Sequence, residues 1–324
     1  MLSISQHRET FTDYLQEQLK LKEPRNLYEP MLYILGQEGK RLRPVLVLMA
    51  CEIFDCNPKK ALSAALAIEI FHNFSLVHDD IMDDAPLRRG KQTVHEKWDI
   101  NTGILSGDAM LINAYQLFEN YEGKTFRELA QLFTKTAMQV CEGQQYDIDF
   151  ETQHNVSIED YLLMIEYKTA VLVGASLQMG AIIAETSEDC KKAIYQFGRL
   201  LGIAFQLQDD YLDAFGDPNT FGKQCGGDII ENKKTYLYLK TLEFADEAKA
   251  FELEHLYSIS PRDNSGKIEA VKSLFEASGA AELTRKEIEN YTRKAFKVLE
   301  AIDIPEDKKM PLRKFGEMLM ERQV

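Results

Sequence analysis

Long blocks of helical periodicity account for most of the 324-residue chain. Apolar residues recur three and four positions apart, and the polar/apolar alternation of strands is nearly absent. The nine prolines are expected at the edges of these blocks, because proline interrupts a helix interior. The predicted helices include residues 61–83, 104–121, 125–150, 158–184 and 188–213, with Asn57, Thr125, Ser157 and Ser187 as N-caps. The pattern predicts an all-α fold and a single domain over residues 1–324.

Composition excludes several classes of protein. The net charge of -14 argues against non-specific nucleic-acid binding, which needs a basic surface. The five cysteines are scattered, which is typical of a reducing compartment, and the N-terminal residues lack a signal-peptide pattern. A cytoplasmic location is therefore predicted. The apolar stretches 61–71 and 170–184 are shorter than the roughly 20 residues of a spanning helix, so we expect buried core helices and no membrane span.

Four aspartates fall within six residues of the stretch LVHDDIMDDAPLRRG (76–90). Asp79 and Asp83 share one face of a helix because they are four residues apart, and Asp80 flanks them. The preceding segment is apolar, so the carboxylates end a buried helix, where the helix dipole disfavours negative charge. A solvated acidic surface explains this poorly, and a positive partner is expected.

A second DDxxD motif, in FQLQDDYLDAFGD (205–217), supplies Asp209, Asp210 and Asp213 and again ends an apolar helix. Two all-oxygen clusters indicate hard cations, and Mg²⁺ is typically completed by substrate phosphate. Ca²⁺ is disfavoured because no EF-hand loop is present. A di-iron carboxylate bundle needs inward-facing Glu-x-x-His pairs, and we expect no histidine to belong to such a pair in a core helix.

Basic residues accompany both acidic motifs. Those in question are Lys40, Arg41 and Arg43 of GKRLRP, Arg88 and Arg89 of LRRG, Lys168 of EYKTA, and Lys223, Lys233 and Lys234 of the Gly-rich stretch 215–235. A single lysine in an apolar helix usually extends to the surface. So many cations beside paired carboxylates instead predict an anion site, because guanidinium binds phosphate oxygens bidentately.

The motifs GKRLRP, LVHDDIMDDAPLRRG, KTA, FQLQDDYLD and GKQCGGDIIENKKT resemble, in order and spacing, those of the trans-isoprenyl diphosphate synthases, or polyprenyl synthetases. The resemblance spans residues 39–235. It implies a large helical bundle with a central apolar cavity, assembled as a homodimer. It also implies head-to-tail condensation of isopentenyl diphosphate with an allylic diphosphate, release of pyrophosphate, and three Mg²⁺ ions on the allylic diphosphate.

The resemblance also assigns roles to the motif residues. Asp79, Asp83 and Asp209 are implied as metal ligands, assisted directly or through water by Asp80, Asp210 and Asp213. Arg88, Lys168, Lys223 and Lys233 are implied for the allylic diphosphate, with Lys234 as the alternative to Lys233. Lys40, Arg43, His72 and Arg89 are implied for isopentenyl diphosphate, and Thr169 and Gln206 for stabilising the carbocation.

Product length is predicted from the helix before the first motif. Phe74 and Phe71 lie on about the same face, and the family uses an aromatic here as the floor of the product pocket. Ser75 is small where the shortest-chain members often carry a bulky residue. These features predict a product of fifteen or twenty carbons, twenty being favoured.

Two alternatives remain open from the sequence. A class I terpene cyclase shares the fold and the first motif, but its second metal motif is typically of the Asn/Asp–Ser/Thr–Glu type. A non-catalytic regulatory subunit resembles the family but loses its aspartate motifs. Both motifs are intact here, which favours a catalytic synthase.

Overall fold

The computed structural model describes residues 1–216 and 226–321. It confirms the all-α prediction, since the only strands among these residues form a two-residue ladder of β1 (Leu87–Arg88) and β2 (Lys91–Gln92). Lys223 of the predicted diphosphate site lies outside the described residues.

The helices of the described chain are α1 (Ile4–Gln18), α2 (Arg25–Leu35), α3 (Leu42–Ile53), α4 (Leu62–Met82), α5 (Val94–Lys97), α6 (Ile100–Gln116), α7 (Gly123–Thr152), α8 (Ile158–Ile165), α9 (Val171–Ile183), α10 (Glu188–Phe215), α11 (Gly227–Ile230), α12 (Tyr236–Phe244), α13 (Glu247–Leu256), α14 (Ser265–Ala277), α15 (Ala280–Ala301) and α16 (Glu306–Met320). Short 3-10 turns at Pro58–Ala61 and Leu117–Asn120 extend α4 and α6, and a π-helical turn at Glu166–Ala170 joins α8 to α9.

The predicted caps are confirmed at three of four positions. Ser157 forms a capping box with Asp160, Asn57 accepts from the backbone of Lys59, and Ser187 accepts from the backbone of Cys190. The prediction for Thr125 is wrong, because α7 already begins at Gly123.

The expectation that every proline marks a helix edge is also wrong. Pro30 lies inside α2 and Pro311 inside α16. Each is the sixth residue of its helix, so the carbonyl left without a partner belongs to Asn26 or Asp307. Both residues are exposed, and water can therefore replace the missing amide.

The chain divides into two compact units, each assembled from separate segments. The first unit comprises Met1–Thr134, Ala175–Lys192 and Ile304–Pro311, and the second comprises Lys135–Gly174, Ala193–Asp303 and Leu312–Val324. The first aspartate motif belongs to the first unit and the second motif to the second unit. The single domain over residues 1–324 stays a prediction.

Helix α4 is the central helix of the first unit. Residues 64–71 are all buried, and α4 contacts α1, α2, α3, α5 and α6. The segment Pro58–Met82 is long and apolar enough to cross a membrane, but 67% of its most apolar window is buried inside the protein. A core helix has the same length and composition, which agrees with the interpretation of residues 61–71 as core.

The apolar side of α10 lies in the core of the second unit. Leu207, Tyr211 and Leu212 pack there with Tyr161 of α8 and Phe275 of α14, all of them at most 3% exposed. This packing fixes the C-terminal half of α10, which carries the second aspartate motif, against its neighbours.

Candidate active site

The first aspartate motif is paired with Arg88. Helix α4 ends at Met82 with Asp83 as its C-cap. Arg88, on β1, donates from Nε to Asp80 at 2.6 Å and from a terminal nitrogen to Asp79 at 3.2 Å. The hairpin thus carries the positive partner that the acidic helix end requires. Arg88 was predicted to bind diphosphate, and in this structure its guanidinium is bonded to the carboxylates of Asp79 and Asp80.

Asp80 is the most buried member of this motif, with its side chain 1% exposed. Burial raises the pKa of its carboxyl group, and the charge of Arg88 opposes that rise. Its second oxygen, Oδ2, has no hydrogen-bond partner among the described residues. A buried oxygen of this kind fits a cation, so the donor set suits Mg²⁺.

Three of the four residues predicted for isopentenyl diphosphate lie together in the first unit. A terminal nitrogen of Arg43 is 3.2 Å from Nε2 of His72. Burial lowers the pKa of His72 far below its usual value, and the charges of Arg43 and Arg89 add to the effect. His72 is therefore neutral and accepts from Arg43. Lys40, the fourth residue, is exposed beside Gly39, whose missing Cβ leaves room for the Arg89 guanidinium.

Arg41 and Glu69 hold this region together. Arg41 pairs with the buried Glu69 and donates to the carbonyls of Leu35 and Gln37 at 2.7 and 2.6 Å. Glu69 and His72 do form a Glu-x-x-His pair in a core helix, so the expectation that none exists is wrong. Each member is already bonded to an arginine, and the pair does not suit a di-iron site.

The second aspartate motif is part of a hydrogen-bonded chain in the second unit. Thr169 donates to Oε1 of Gln206 at 3.0 Å, and Nε2 of Gln206 donates to Asp210 at 2.8 Å. The hydroxyl of Tyr161 donates to the other oxygen of Asp210. These bonds fix the amide of Gln206 with its oxygen toward Thr169.

Carboxylates crowd the end of α10. Burial, helped by the charges of the neighbouring Asp209 and Asp213, raises the pKa of Asp210 to about 7 against the opposing hydrogen bonds of Tyr161 and Gln206. Burial also raises the pKa of Asp228 well above its usual value. Asp213 accepts from the backbone N–H of Asp228 at 2.9 Å. So many carboxylates at one place again suit a bound cation.

Lys168 and Thr169 lie in the π-helical turn, a local widening of the helix that is frequent at functional sites. Nζ of Lys168 lies 2.6 Å from Asp147 of α7. Gly143 allows this approach, since a Cβ there would lie 2.2 Å from the backbone nitrogen of Lys168. The sequence placed Lys168 in a regular helix from 158 to 184, and the turn is what orients it.

The neighbours Lys233 and Lys234 have different environments. Burial alone would lower the pKa of Lys233, but Glu231 at 2.8 Å and the nearby Asp228 raise it above its usual value. Lys234 donates to the carbonyls of Phe150 and Gln153 at 2.6 and 2.7 Å, at the C-terminal end of α7. A lysine there complements the helix dipole. The preference for Lys233 over Lys234 as a ligand-binding residue is consistent with these contacts, because Lys234 is bonded to the backbone of α7.

A cavity of about 100 Å³ in the second unit brings these groups together. Its walls carry charged, polar and apolar residues in one place. They are Asp147, Phe150, Glu151, Tyr161, Met164, Ile165, Lys168, Thr169, Gln206, Asp210, Asp228, Lys233, Lys234 and Thr235. Lysines and carboxylates around one cavity suit an Mg²⁺-diphosphate ligand.

Comparison with known proteins agrees with this chemistry. The family model for polyprenyl synthetase matches residues 24–275. The chain belongs to the polyprenyl synthetase family. Membership makes it a prenyltransferase, with the all-α isoprenoid synthase fold.

Three relatives show how far the similarity extends. A crystal structure of a geranylgeranyl pyrophosphate synthase is 52% identical and superposes with a TM-score of 0.96 over the whole of both chains. The geranylfarnesyl diphosphate synthase of Natronomonas pharaonis is 36% identical over 88% of this chain and 86% of its own. The geranylgeranyl pyrophosphate synthase of Geoglobus acetivorans is 37% identical over 89% of each chain. A short-chain prenyltransferase therefore fits better than a terpene cyclase or a non-catalytic subunit.

Three residues of this candidate site were missed by sequence reasoning. Asp147, Tyr161 and Asp228 contact Lys168, Asp210 and Asp213 across 15 to 49 positions of sequence. Asp228 lay within the GKQCGGDIIENKKT motif and could have been proposed from it. Asp147 and Tyr161 carry no signal beyond their residue type, because their partners are defined only by folding.

The residues predicted to limit product length pack in an aromatic group of the first unit. The rings of Phe71 and Phe74 are 5.5 Å apart, Phe71 meets Phe133 at 5.2 Å, and Phe74 meets His78 at 4.8 Å. Ser75 donates to the carbonyl of His72 at 2.9 Å. The role of these residues as a pocket floor stays a prediction.

The raised pKa of Asp210 gives the synthase a predictable pH dependence of stability. The folded protein holds this proton up to about pH 7, whereas the unfolded chain releases it near 3.8. Without metal, the free energy of unfolding should therefore fall as the pH rises between these values and level off above them. Asp210→Asn should remove up to about 1.4 kcal/mol per pH unit of that fall. Urea denaturation of both proteins from about pH 5 to pH 8 measures it, and parallel curves would show that Asp210 ionises normally.

Proposed function

We propose that this chain condenses isopentenyl diphosphate with an allylic diphosphate and makes geranylgeranyl diphosphate, a product of twenty carbons. The observation that carries the proposal is that Lys168, Thr169, Gln206 and Asp210 line one cavity. Lys168 complements a diphosphate, the oxygens of Thr169 and Gln206 complement a carbocation, and Asp210 complements a metal ion. The similarity to geranylgeranyl pyrophosphate synthases supports the chain length.

We further propose that the aspartate motifs hold three Mg²⁺ ions when the allylic diphosphate is bound. Asp79, Asp83 and Asp209 would be the direct ligands, with Asp80, Asp210 and Asp213 assisting. When bound, the ions would supply positive charge where negative charge develops on the departing pyrophosphate. The all-oxygen donor set and the unsatisfied Oδ2 of Asp80 support this assignment.

The cations of the chain bind and hold the allylic diphosphate. Lys168 and Lys233 line the cavity of the second unit, and in the described state each pairs with a carboxylate. We infer that a bound diphosphate replaces Asp147 as the partner of Lys168 and Glu231 as the partner of Lys233. Charge-assisted bonds of this kind are worth more in the transition state, when the leaving group carries most charge.

Thr169 and Gln206 would stabilise the allylic cation. The hydroxyl of Thr169 donates its proton to Gln206, which leaves the lone pairs of the Thr169 oxygen available. The side-chain amide of Gln206 donates to Asp210, and this bond fixes the orientation of the Gln206 carbonyl oxygen. Fixed oxygen dipoles stabilise a positive charge without reorganising during the reaction. The released pyrophosphate is the natural acceptor of the final proton, so no side-chain base is required.

Product analysis tests the function directly. Purified full-length chain, labelled isopentenyl diphosphate, Mg²⁺ and each allylic primer should give geranylgeranyl diphosphate as the main product. A farnesyl end product would correct the chain length and keep the reaction. Cyclic hydrocarbons, or no elongation of any primer, would contradict the proposal.

The basic residues of the first unit give a more specific prediction. Lys40→Ala or Arg43→Ala should raise the KM for isopentenyl diphosphate about tenfold or more with a smaller change in kcat, because each removes binding shared by ground and transition states. Steady-state kinetics with each substrate varied in turn measures this. Lys59→Ala, at an exposed lysine outside the site, is the matched control. A rise in the allylic KM instead would reverse the two substrate assignments.

We propose that the enzyme is a cytoplasmic homodimer. Helix α6 supports the dimer because Ile104, Leu105 and Ile112 are 41%, 61% and 61% exposed, an apolar surface suited to a second copy. The four cysteines among the described residues are free thiols, as in a reducing compartment. Sedimentation equilibrium of the full chain tests the dimer, and a monomer at micromolar concentration would contradict it.

A further inference from the structure

A buried imidazole lies against two carboxylates just beyond the first aspartate motif. Asp84 follows the end of α4, and His95 and Glu96 belong to α5. One carboxylate oxygen from each acid and one ring nitrogen of His95 lie within 4.8 Å of one another. The proposed reaction uses none of these three residues.

His95 is the residue that points to a ligand. Its side chain is only 4% exposed, and neither ring nitrogen has a hydrogen-bond partner among the described residues. Its Nε2 is 3.9 Å from a carboxylate oxygen of Glu96, which is beyond hydrogen-bond distance. Buried polar groups are normally satisfied, and coordination of a cation would satisfy this one.

The charge of the cluster is not balanced by a nearby basic residue. In the parts of the chain that the structure describes, no lysine or arginine forms an ion pair with Asp84 or Glu96. The ammonium group of Lys97, which follows Glu96 in sequence, lies over the rings of Tyr33 and Trp98 at 3.9 and 4.8 Å. Arg88 is engaged by Asp79 and Asp80. Two carboxylates at one place concentrate negative charge, which a dication would neutralise.

The donor set selects the class of metal. Imidazole nitrogen suits zinc and other later first-row dications, whereas Mg²⁺ prefers oxygen alone. Coordination at about 2.0–2.2 Å requires the ligand atoms to close in. Asp84 and Glu96 are exposed and can rotate toward the buried His95, which stays fixed.

We propose that Asp84, His95 and Glu96 form a binding site for a transition-metal dication of the Zn²⁺ class. It adjoins the first aspartate motif but differs from it in having an imidazole among its donors. Its remaining coordination positions are open to water. The proposal concerns binding, so it does not depend on the reaction that the chain catalyses.

Zinc binding by the metal-free full-length chain tests the site. Zn²⁺ is titrated calorimetrically in a large excess of Mg²⁺, which occupies the all-oxygen motifs, and the loaded protein is examined by X-ray absorption at the zinc edge. One equivalent of Zn²⁺ with the multiple-scattering pattern of a single imidazole is expected. Asp84→Asn and Glu96→Gln should each weaken binding about tenfold or more, and His95→Gln should remove the imidazole pattern.

Two variants serve as matched controls. His78→Gln changes another histidine of the same unit, whose Nε2 lies 3.2 Å from the carbonyl of Ile104, and Asp79→Asn changes the first aspartate motif. Both should keep zinc binding. Zinc bound without an imidazole, or with an affinity that Asp84→Asn and Glu96→Gln leave unchanged, would overturn the proposal. These two exposed positions decide the matter if His95→Gln fails to fold.

Discussion

Asp79→Ala and Asp209→Ala should each lower kcat by about two or more orders of magnitude. Each removes a carboxylate from an all-oxygen cluster proposed to hold Mg²⁺ on the leaving diphosphate, and lost electrostatic stabilisers of this kind typically cost that much. Asp79→Ala also leaves Arg88 bonded to Asp80 alone. Turnover with both substrates saturating and Mg²⁺ varied over a wide range measures the effect.

The control for these variants is an aspartate at the N-terminal end of α10, the helix that carries Asp209 near its C-terminal end. Asp189→Ala changes an exposed aspartate in the first turn of α10 and should keep wild-type turnover within about twofold, since exposed substitutions rarely matter. Circular dichroism should show unchanged helix content in all three proteins. Near-wild-type turnover of Asp79→Ala or Asp209→Ala at saturating Mg²⁺ would refute the metal assignment.

Phe74→Ala should lengthen the product by at least one isoprene unit. Phe74 is 8% exposed and lies five residues before Asp79, with its ring between those of Phe71 and His78. Its truncation leaves a cavity large enough for more hydrocarbon, so that a chain arrested at twenty carbons can continue. Chromatographic sizing of the products from wild type and variant measures the change.

A second truncation separates the pocket floor from ordinary core packing. Phe118→Ala removes a ring from the same aromatic group, where Phe118 meets Phe133 at 5.1 Å, but it does not lie on α4. It should destabilise the protein by about 3–5 kcal/mol and leave the product length unchanged. If both variants keep the wild-type product, Phe74 is a core residue, and a wild-type product of thirty carbons or more would exclude it as the floor.

The periodicity of the sequence predicted the helices well because burial repeats with the helical period. Blocks 61–83 and 188–213 correspond to α4 and α10 within two residues at each end. Local departures were not predictable in this way. The prolines inside α2 and α16 and the π-helical turn at 166–170 depend on which backbone groups reach water or a neighbouring helix.

The site was predictable in its residue types and less so in its contacts. The sequence by itself determined that two carboxylate clusters end apolar helices and that basic motifs accompany them, because short motifs carry the chemistry of metal and phosphate binding. Tertiary structure decided which group each basic side chain contacts. Arg41 is bound to Glu69 while Arg43 meets His72. Both lysines line the cavity, but Lys234 is bound to the carbonyls at the end of α7 while Lys233 pairs with Glu231. Neighbours in sequence are equivalent in charge, and contacts across 28 to 84 positions set Arg41, Arg43 and Lys234 apart.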